Sequence, residues 1–252
     1  MQLNIFLGKV FKIIIYFIRM NKRGISHVEF IISFVLFVGF LVAGLYFFSP
    51  LDGTRVVESS LYYTFTEVEE NLTTELESFS VVINQGVQDT IIYIDLSPED
   101  IRNLGSLVKD SDGIRLASFS DGVGINIDRI SSSNNFIRIM LNPDFDNSAL
   151  LNGRDIGREN YTISSREFRE VISEKRFLAL VNLYNNDYEA VKEEFNIPAR
   201  IDFGFYLEFE DETISAEKDI PLGLEVFSES KRVQVVRESG DIAFADLRIR
   251  IW

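Results

Sequence analysis

The chain has 252 residues, a net charge of −14, no cysteine and a single histidine. The missing cysteine excludes a disulfide framework, and the acidic balance argues against nucleic-acid binding, which needs a basic patch. Twenty-two phenylalanines supply large apolar side chains for a packed core rather than a disordered stalk.

Residues 1–19 are apolar but interrupted by Lys9 and Lys12, and the run Ile13 to Ile18 is too short to cross a bilayer. Translation is expected to begin at Met20, four residues before Gly24. The alternative is a longer leader whose first part lies on the membrane surface as a basic amphipathic segment. Lys22 and Arg23 meet Gly24, Glu29 follows five residues later, and Phe30 to Phe48 then carries no charge. A helix of that length reaches roughly 28 Å, close to the hydrocarbon thickness of a bilayer. Ser49-Pro50 is expected to end it. A plain membrane anchor accounts for the apolar run and leaves Glu29 unexplained, because a carboxylate at the edge of a span is costly and usually has a partner. A buried core helix fits less well, since cores rarely need so many consecutive apolar residues.

Basic-Gly, Glu at plus five and the apolar run occur together here, and that combination resembles the class III signal of type IV prepilins, most closely archaeal pilin-like proteins. The tripeptide Val28-Glu29-Phe30 is also similar to TadE-like pseudopilins. The resemblance implies recognition of Lys22, Arg23, Gly24 and Ile25 by a prepilin peptidase, with cleavage between Gly24 and Ile25. It implies that Glu29 neutralises the new N-terminal amine of a neighbouring subunit during assembly. An α-amino group with pKa about 7.7–8 is largely protonated at pH 7, so such a pair gains by forming near lipid.

Five basic residues (Lys9, Lys12, Arg19, Lys22 and Arg23) and only one acidic residue (Glu29) precede the end of the apolar run, which leaves a net charge of −18 beyond Phe48. The positive-inside rule then places the N-terminus in the cytoplasm and the acidic part outside, in a single-pass membrane protein. The expected organisation is a leader over 1–24, a transmembrane helix over 25–48, a hinge and amphipathic helix over 49–80, and an acidic extracellular α+β domain over 81–252.

Pro50-Leu51-Asp52-Gly53 reads as a hinge. Leu61, Phe65, Val68, Leu72, Leu76 and Phe79 form one apolar stripe at helical period, expected to pack on the chain's own domain; the sharper reading is the half of a long pilin helix that meets neighbouring subunits. Thr90 to Leu96 reads as a strand, followed by a short helix capped by Ser97 with Pro98 in its first turn. Asp110 to Gly113 is a turn. Short strands are expected over Ile114 to Phe119, Val123 to Ile127 and Phe136 to Leu141, then a long surface loop over 144–160. Phe168 to Ile172 reads as a strand, Ser173 to Leu183 and Asp187 to Phe195 as two helices. The segment from Asp187 to Phe209 is similar to a stretch of archaeal pilin-like proteins. Ile201 to Phe209 alternates apolar and polar residues as a half-buried strand, with a hairpin partner at Ile214 to Ala216. Strands follow over Leu222 to Phe227 and Arg232 to Arg237, and a last one buries Ala245, Leu247, Ile249 and Ile251. The fold class is α+β: an N-terminal transmembrane helix and a second amphipathic helix, then a mainly antiparallel sheet with short helices.

His27 sits beside the cleavage site, so the domain beyond it has neither His nor Cys. Ser-His-Asp and Cys-His catalysis and ordinary zinc sites are excluded there, and no phosphate loop is present. Asp110, Asp112 and Gly113 resemble part of a calcium loop but lack the distal Glu, and a plain turn is the reading. No catalytic residue, metal or cofactor is expected. Asn71-Leu72-Thr73 and Asn160-Tyr161-Thr162 are glycosylation sequons, with Asn160 the better placed beside a loop. The composite expectation is a pilin-like surface protein, structural or adhesive, whose partners are the membrane, a prepilin peptidase and pilin-like subunits or itself. The alternatives are a single-span anchored ectodomain that binds a ligand or partner without polymerising, and a surface hydrolase using paired carboxylates.

Overall fold

The computed structural model describes residues 25–47, 51–97, 99, 101–148 and 151–252. The chain divides into two compact units, residues 1–56 and 57–252.

The first unit holds α1 (Ile25–Phe47), apolar on every side because its sequence carries no helical-period polar face. From His27 to Gly44 it is long and apolar enough to cross a membrane, and none of that stretch is buried within the chain. The sequence reading placed a hinge over 50–53. Ser49 and Pro50 lie outside the described residues, and Leu51, Asp52 and Gly53 are already helical in α2 (Leu51–Leu72). A proline ahead of a helix is compatible with its start, since the first-turn N–H groups have no intrahelical acceptor.

From Val57 onward α2 belongs to the second unit. It buries Leu61, Phe65, Val68 and Leu72, so its apolar stripe packs on its own domain. The stripe expected to run on to Phe79 ends at Leu72, because the chain passes directly into strand β1 (Thr73–Ile83). Beyond Leu72 the period changes from helical to two: Glu77, Phe79, Val81 and Ile83 are buried on one face, Thr74 and Leu76 on the other. Leu76 and Phe79 fell on the helical spacing by coincidence. Paired Thr73-Thr74 and Val81-Val82 supply the β-branched residues that favour the strand.

The remaining strands are β2 (Ile91–Asp95), β3 (Gly105–Asp110), β4 (Arg115–Leu116), β5 (Ser118–Ser120), β6 (Gly124–Asp128), β7 (Phe136–Asn142), β8 (Arg154–Asp155), β9 (Tyr161–Ser173), β10 (Phe203–Glu208), β11 (Thr213–Ala216), β12 (Phe227–Val236) and β13 (Ile242–Ile251). Two helices, α3 (Glu174–Asn186) and α4 (Tyr188–Glu194), lie between β9 and β10. Among the described residues nine strands form one sheet in the order β11-β10-β13-β12-β9-β1-β7-β3-β4, and four form a second, β5-β6-β2-β8. Pairing is antiparallel except for β9 with β12 and β2 with β8. The fold is therefore α+β with a mainly antiparallel sheet.

Two apolar clusters lie on the same face of the large sheet. Around β1, β7 and β3, the small sheet closes a sandwich in which Ile92, Ile94, Ile125 and Ile127 meet Val81, Ile137 and Ile139. Around β10, β12 and β13, the helices cover the sheet, and Phe177, Leu180 and Tyr184 meet Phe203, Phe205 and Ile249. Each such side chain contributes roughly 1.5–3 kcal/mol by leaving water. Register places the clusters on one face, since Phe79 pairs with Arg166 and Thr73 with Ile172 on the same two strands. Strand β9 lies between the two covers. The helices start where their caps are: Ser173 Oγ accepts the Arg176 N–H at 3.3 Å, and Asp187 Oδ1 accepts that of Ala190 at 3.1 Å.

Three further expectations change. Pro98 and Asp100, in the expected short helix, lie outside the described residues; among those described no helix follows Ser97, whose N–H and hydroxyl both donate to Asp95, at 2.8 and 2.9 Å, and close a local turn. Leu222 to Phe227 is not a strand; Leu222 is fully exposed and Gly223 has φ +89°, which breaks extension, so one strand runs from Phe227 to Val236. The 144–160 loop contains β8 and a 3-10 turn at Arg158–Asn160.

Candidate functional site

Helix α1 is the candidate site. Of the residues expected to carry a processing signal, Lys22, Arg23 and Gly24 lie outside the described residues. Ile25 is the first residue of α1, and Glu29 stands about one turn later with its side chain exposed. Around and beyond it Phe30, Phe34, Phe37 and Phe40 are all more than half exposed. Among the described residues nothing buries this stretch, and in water so much exposed apolar area would be strongly unfavourable. Glu29 is the only acidic side chain in the helix.

The sequons sit at opposite parts of the second unit. Asn71 is exposed near the C-terminal end of α2, with Nδ2 donating to Glu194 Oε1 at 3.2 Å. Asn160 is half-buried in the 3-10 turn, and its Nδ2 donates to the Ile156 carbonyl at 2.6 Å. The structure therefore makes Asn71 the more accessible amide, the reverse of the order read from the sequence.

Among the described residues no group of three or more His, Cys, Asp or Glu side chains is placed to hold a metal ion. Asp110 closes its turn by accepting the N–H groups of Asp112 and Ile114, both at 2.9 Å, and it also accepts the Ser132 hydroxyl at 2.6 Å. The Ser132 hydrogen bond is the main reason that its carboxyl lies below the usual Asp range.

A polar knot supports the helical cover. Lys192 is buried, donates to the Ala199 carbonyl at 2.9 Å and faces Asp202 at 3.3 Å. Burial works to raise the Asp202 carboxyl; hydrogen bonds from Tyr188 and Lys192, and the charges of Lys192 and Lys218, outweigh it and hold it below its ordinary value. Burial pushes the Tyr188 and Tyr184 hydroxyls well up. These groups share one another's hydrogen bonds inside a cluster of Tyr184, Tyr188, Phe203 and Phe205 rings, with centroids 4.8–6.1 Å apart and Tyr184 edge-on to the other three. Tyr184 donates to the Phe203 carbonyl and Tyr188 to Asp202, so the cluster ties α3 and α4 to the start of β10 as a structural brace.

The open part of β9 was not legible as a feature of interest. Its seven residues Ser164–Glu170 are all exposed although the strand lies within the large sheet. The alternation Arg166-Glu167-Phe168-Arg169-Glu170 was the available signal. No protein-family profile, curated protein or solved structure matches the chain.

Proposed function

We propose that this chain is a type IV pilin-like surface protein, held in the membrane by α1 and processed by a prepilin peptidase, with a structural or adhesive role. The observation that carries the reading is the exposed α1, with Glu29 as its single acidic group, five residues after Gly24. Lipid covers the helix before assembly, and other copies or pilin-like subunits cover it after. In that dry bundle Glu29 pairs with the α-amino group of a neighbouring Ile25. The basic residues before α1 favour a cytoplasmic N-terminus, and the acidic domain stands outside.

A non-polymerising anchored ectodomain is the second reading, favoured by one observation: the apolar stripe of α2 is taken up by its own domain. Glu29→Gln separates the two. Cysteines introduced at Phe34 and Leu41, on exposed α1 positions, crosslink between copies in native membranes if the helices bundle. In a pilin-like protein Glu29→Gln is inserted normally but loses these α1 crosslinks, because losing one partner of a desolvated pair costs about 3–5 kcal/mol. Equal crosslinking of mutant and parent, or none in the parent, favours the anchored ectodomain.

A further inference from the structure

Most sheet edges in this domain are short. The outermost strands, β11, β4, β5 and β8, span four, two, three and two residues. Short edges are one of the ways proteins avoid pairing with other chains. Strand β9 is different. Eleven of its 13 residues pair along one side with β1, from Thr73↔Ile172 to Ile83↔Tyr161, with a register shift that leaves Ser164 out of the ladder. On the other side its pairing with β12 is confined to Val235↔Ile172 and Val236↔Ser173. Among the described residues nothing else pairs with the free side of β9 ahead of Ile172, and the two strands part there like the arms of a fork. Residues 164–170 carry no proline or lysine; the charges on this edge are Arg166, Glu167, Arg169 and Glu170, of which Glu167 and Arg169 pair with each other at 2.6 Å in the single copy.

Their charges are arranged as their own complement. If a second copy of this strand is laid antiparallel with Phe168 opposite Phe168, Arg166 falls opposite Glu170 and Glu167 opposite Arg169, each twice by symmetry. Opposite charges and aromatic pairs directly across a ladder are the combinations that stabilise a sheet. A shift of one residue in either direction destroys the match and puts like charges together. The monomer also leaves like charges for this pairing to offset: Glu170 stands opposite Glu75 in the β1 ladder, near Glu70 and near Glu69, which is paired with Lys231 at 2.6 Å. Arg166 is held at the edge by Glu77 and Glu99 and keeps about half of its side chain exposed, while Phe168 is 58 % exposed on the same face.

We propose that the free edge of β9 is a self-association site, where two copies of this chain pair antiparallel about Phe168 through residues 166–170. The two-fold relation makes the contact isologous, so it closes at two copies. Membrane anchoring would favour it by raising the local concentration of copies. It is a different surface from α1, and it does not rest on the pilin-like reading.

The chain has no cysteine, so a single introduced thiol reports on one position. Phe168→Cys in the full chain in native membranes is expected to form a disulfide-linked dimer on mild oxidation. Directly opposed residues in an antiparallel ladder have Cα atoms about 4.5–5.5 Å apart, within disulfide range. Leu222→Cys, exposed and outside every strand, is the control and is expected to give little dimer. Adding Glu167→Arg or Arg169→Glu to Phe168→Cys is expected to abolish the crosslink, and mixing these two charge variants in one membrane is expected to restore it as a heterodimer. The same crosslink is expected in a Glu29→Gln background, which keeps this result separate from α1 assembly. The proposal is overturned if Phe168→Cys crosslinks no better than Leu222→Cys, if the mixture fails to restore the dimer, or if the Phe168→Cys variant links to a different protein instead.

Discussion

Tyr188 donates its hydroxyl to Asp202 Oδ1 at 2.8 Å while accepting the Phe203 N–H at 3.2 Å. One side chain thus ties α4 to the start of β10, where Asp202 also exchanges two backbone hydrogen bonds with Trp252, at 2.9 and 3.0 Å. The brace fixes the helical cover to the last strand of the sheet.

The buried tyrosines set an alkaline limit. Burial raises the hydroxyls of Tyr188 and Tyr184, and it pushes Tyr93, beside Asp121 and Asp95, up to about 12. A group whose folded pKa exceeds its unfolded value contributes stability that is fully present below the unfolded pKa and is lost as pH rises toward the folded one. Stability is therefore expected to fall above about pH 10. An ultraviolet titration of the nine tyrosines should show a late fraction that ionises only as the fold opens. Ionisation of all nine together near pH 10, with the circular dichroism unchanged, would falsify this.

The acid limb comes from lowered carboxyls. Ser132 and its neighbours lower Asp110, and Tyr188 and Lys192 outweigh burial to lower Asp202. Depressed folded values give stability that is present above the unfolded pKa of about 3.9 and lost as pH falls through the folded ones. The urea midpoint should decline below about pH 4, and less steeply in Asp110→Asn. An identical slope in mutant and parent would remove Asp110 from the explanation.

Gly105 opens β3 against the loop at Phe145. A Cβ there would land on the Phe145 carbonyl oxygen, a backbone atom that cannot swing aside, whereas one at Gly86 would meet nothing within 4 Å. Gly105→Ala should cost about 3 kcal/mol or more by overpacking, and Gly86→Ala should stay within about 0.5 kcal/mol. Chemical denaturation of the two variants side by side checks it; equal midpoints would contradict the crowding.

Local chemistry made part of this fold legible. The spans Ser173 to Leu183 and Asp187 to Phe195 were readable as α3 and α4, and the alternation from Ile201 to Phe209 as β10, because these signals depend on nearby residues alone. The boundary at Leu72 was hidden because Leu76 and Phe79 are buried on opposite faces of one strand and mimic a helical stripe. Strand β3 was missed because Gly105-Ser106 opens it without β-branched residues. The motif proposed as a processing signal, from Lys22 to Glu29, is linear and rests on the sequence alone. The free edge of β9 was not legible, since an edge is defined by where β12 leaves it, which is a long-range property of the sheet.

N-terminal mass spectrometry of the protein extracted from its native membrane tests the central claim most directly. Lys22-Arg23-Gly24 precedes an apolar helix with no small-residue site for an ordinary signal peptidase. The expected result is a mature chain starting at Ile25, with the leader retained in Gly24→Val. A mature chain that keeps Lys22 to Gly24 in cells with active prepilin peptidase would contradict the pilin-like assignment and leave a plain membrane anchor.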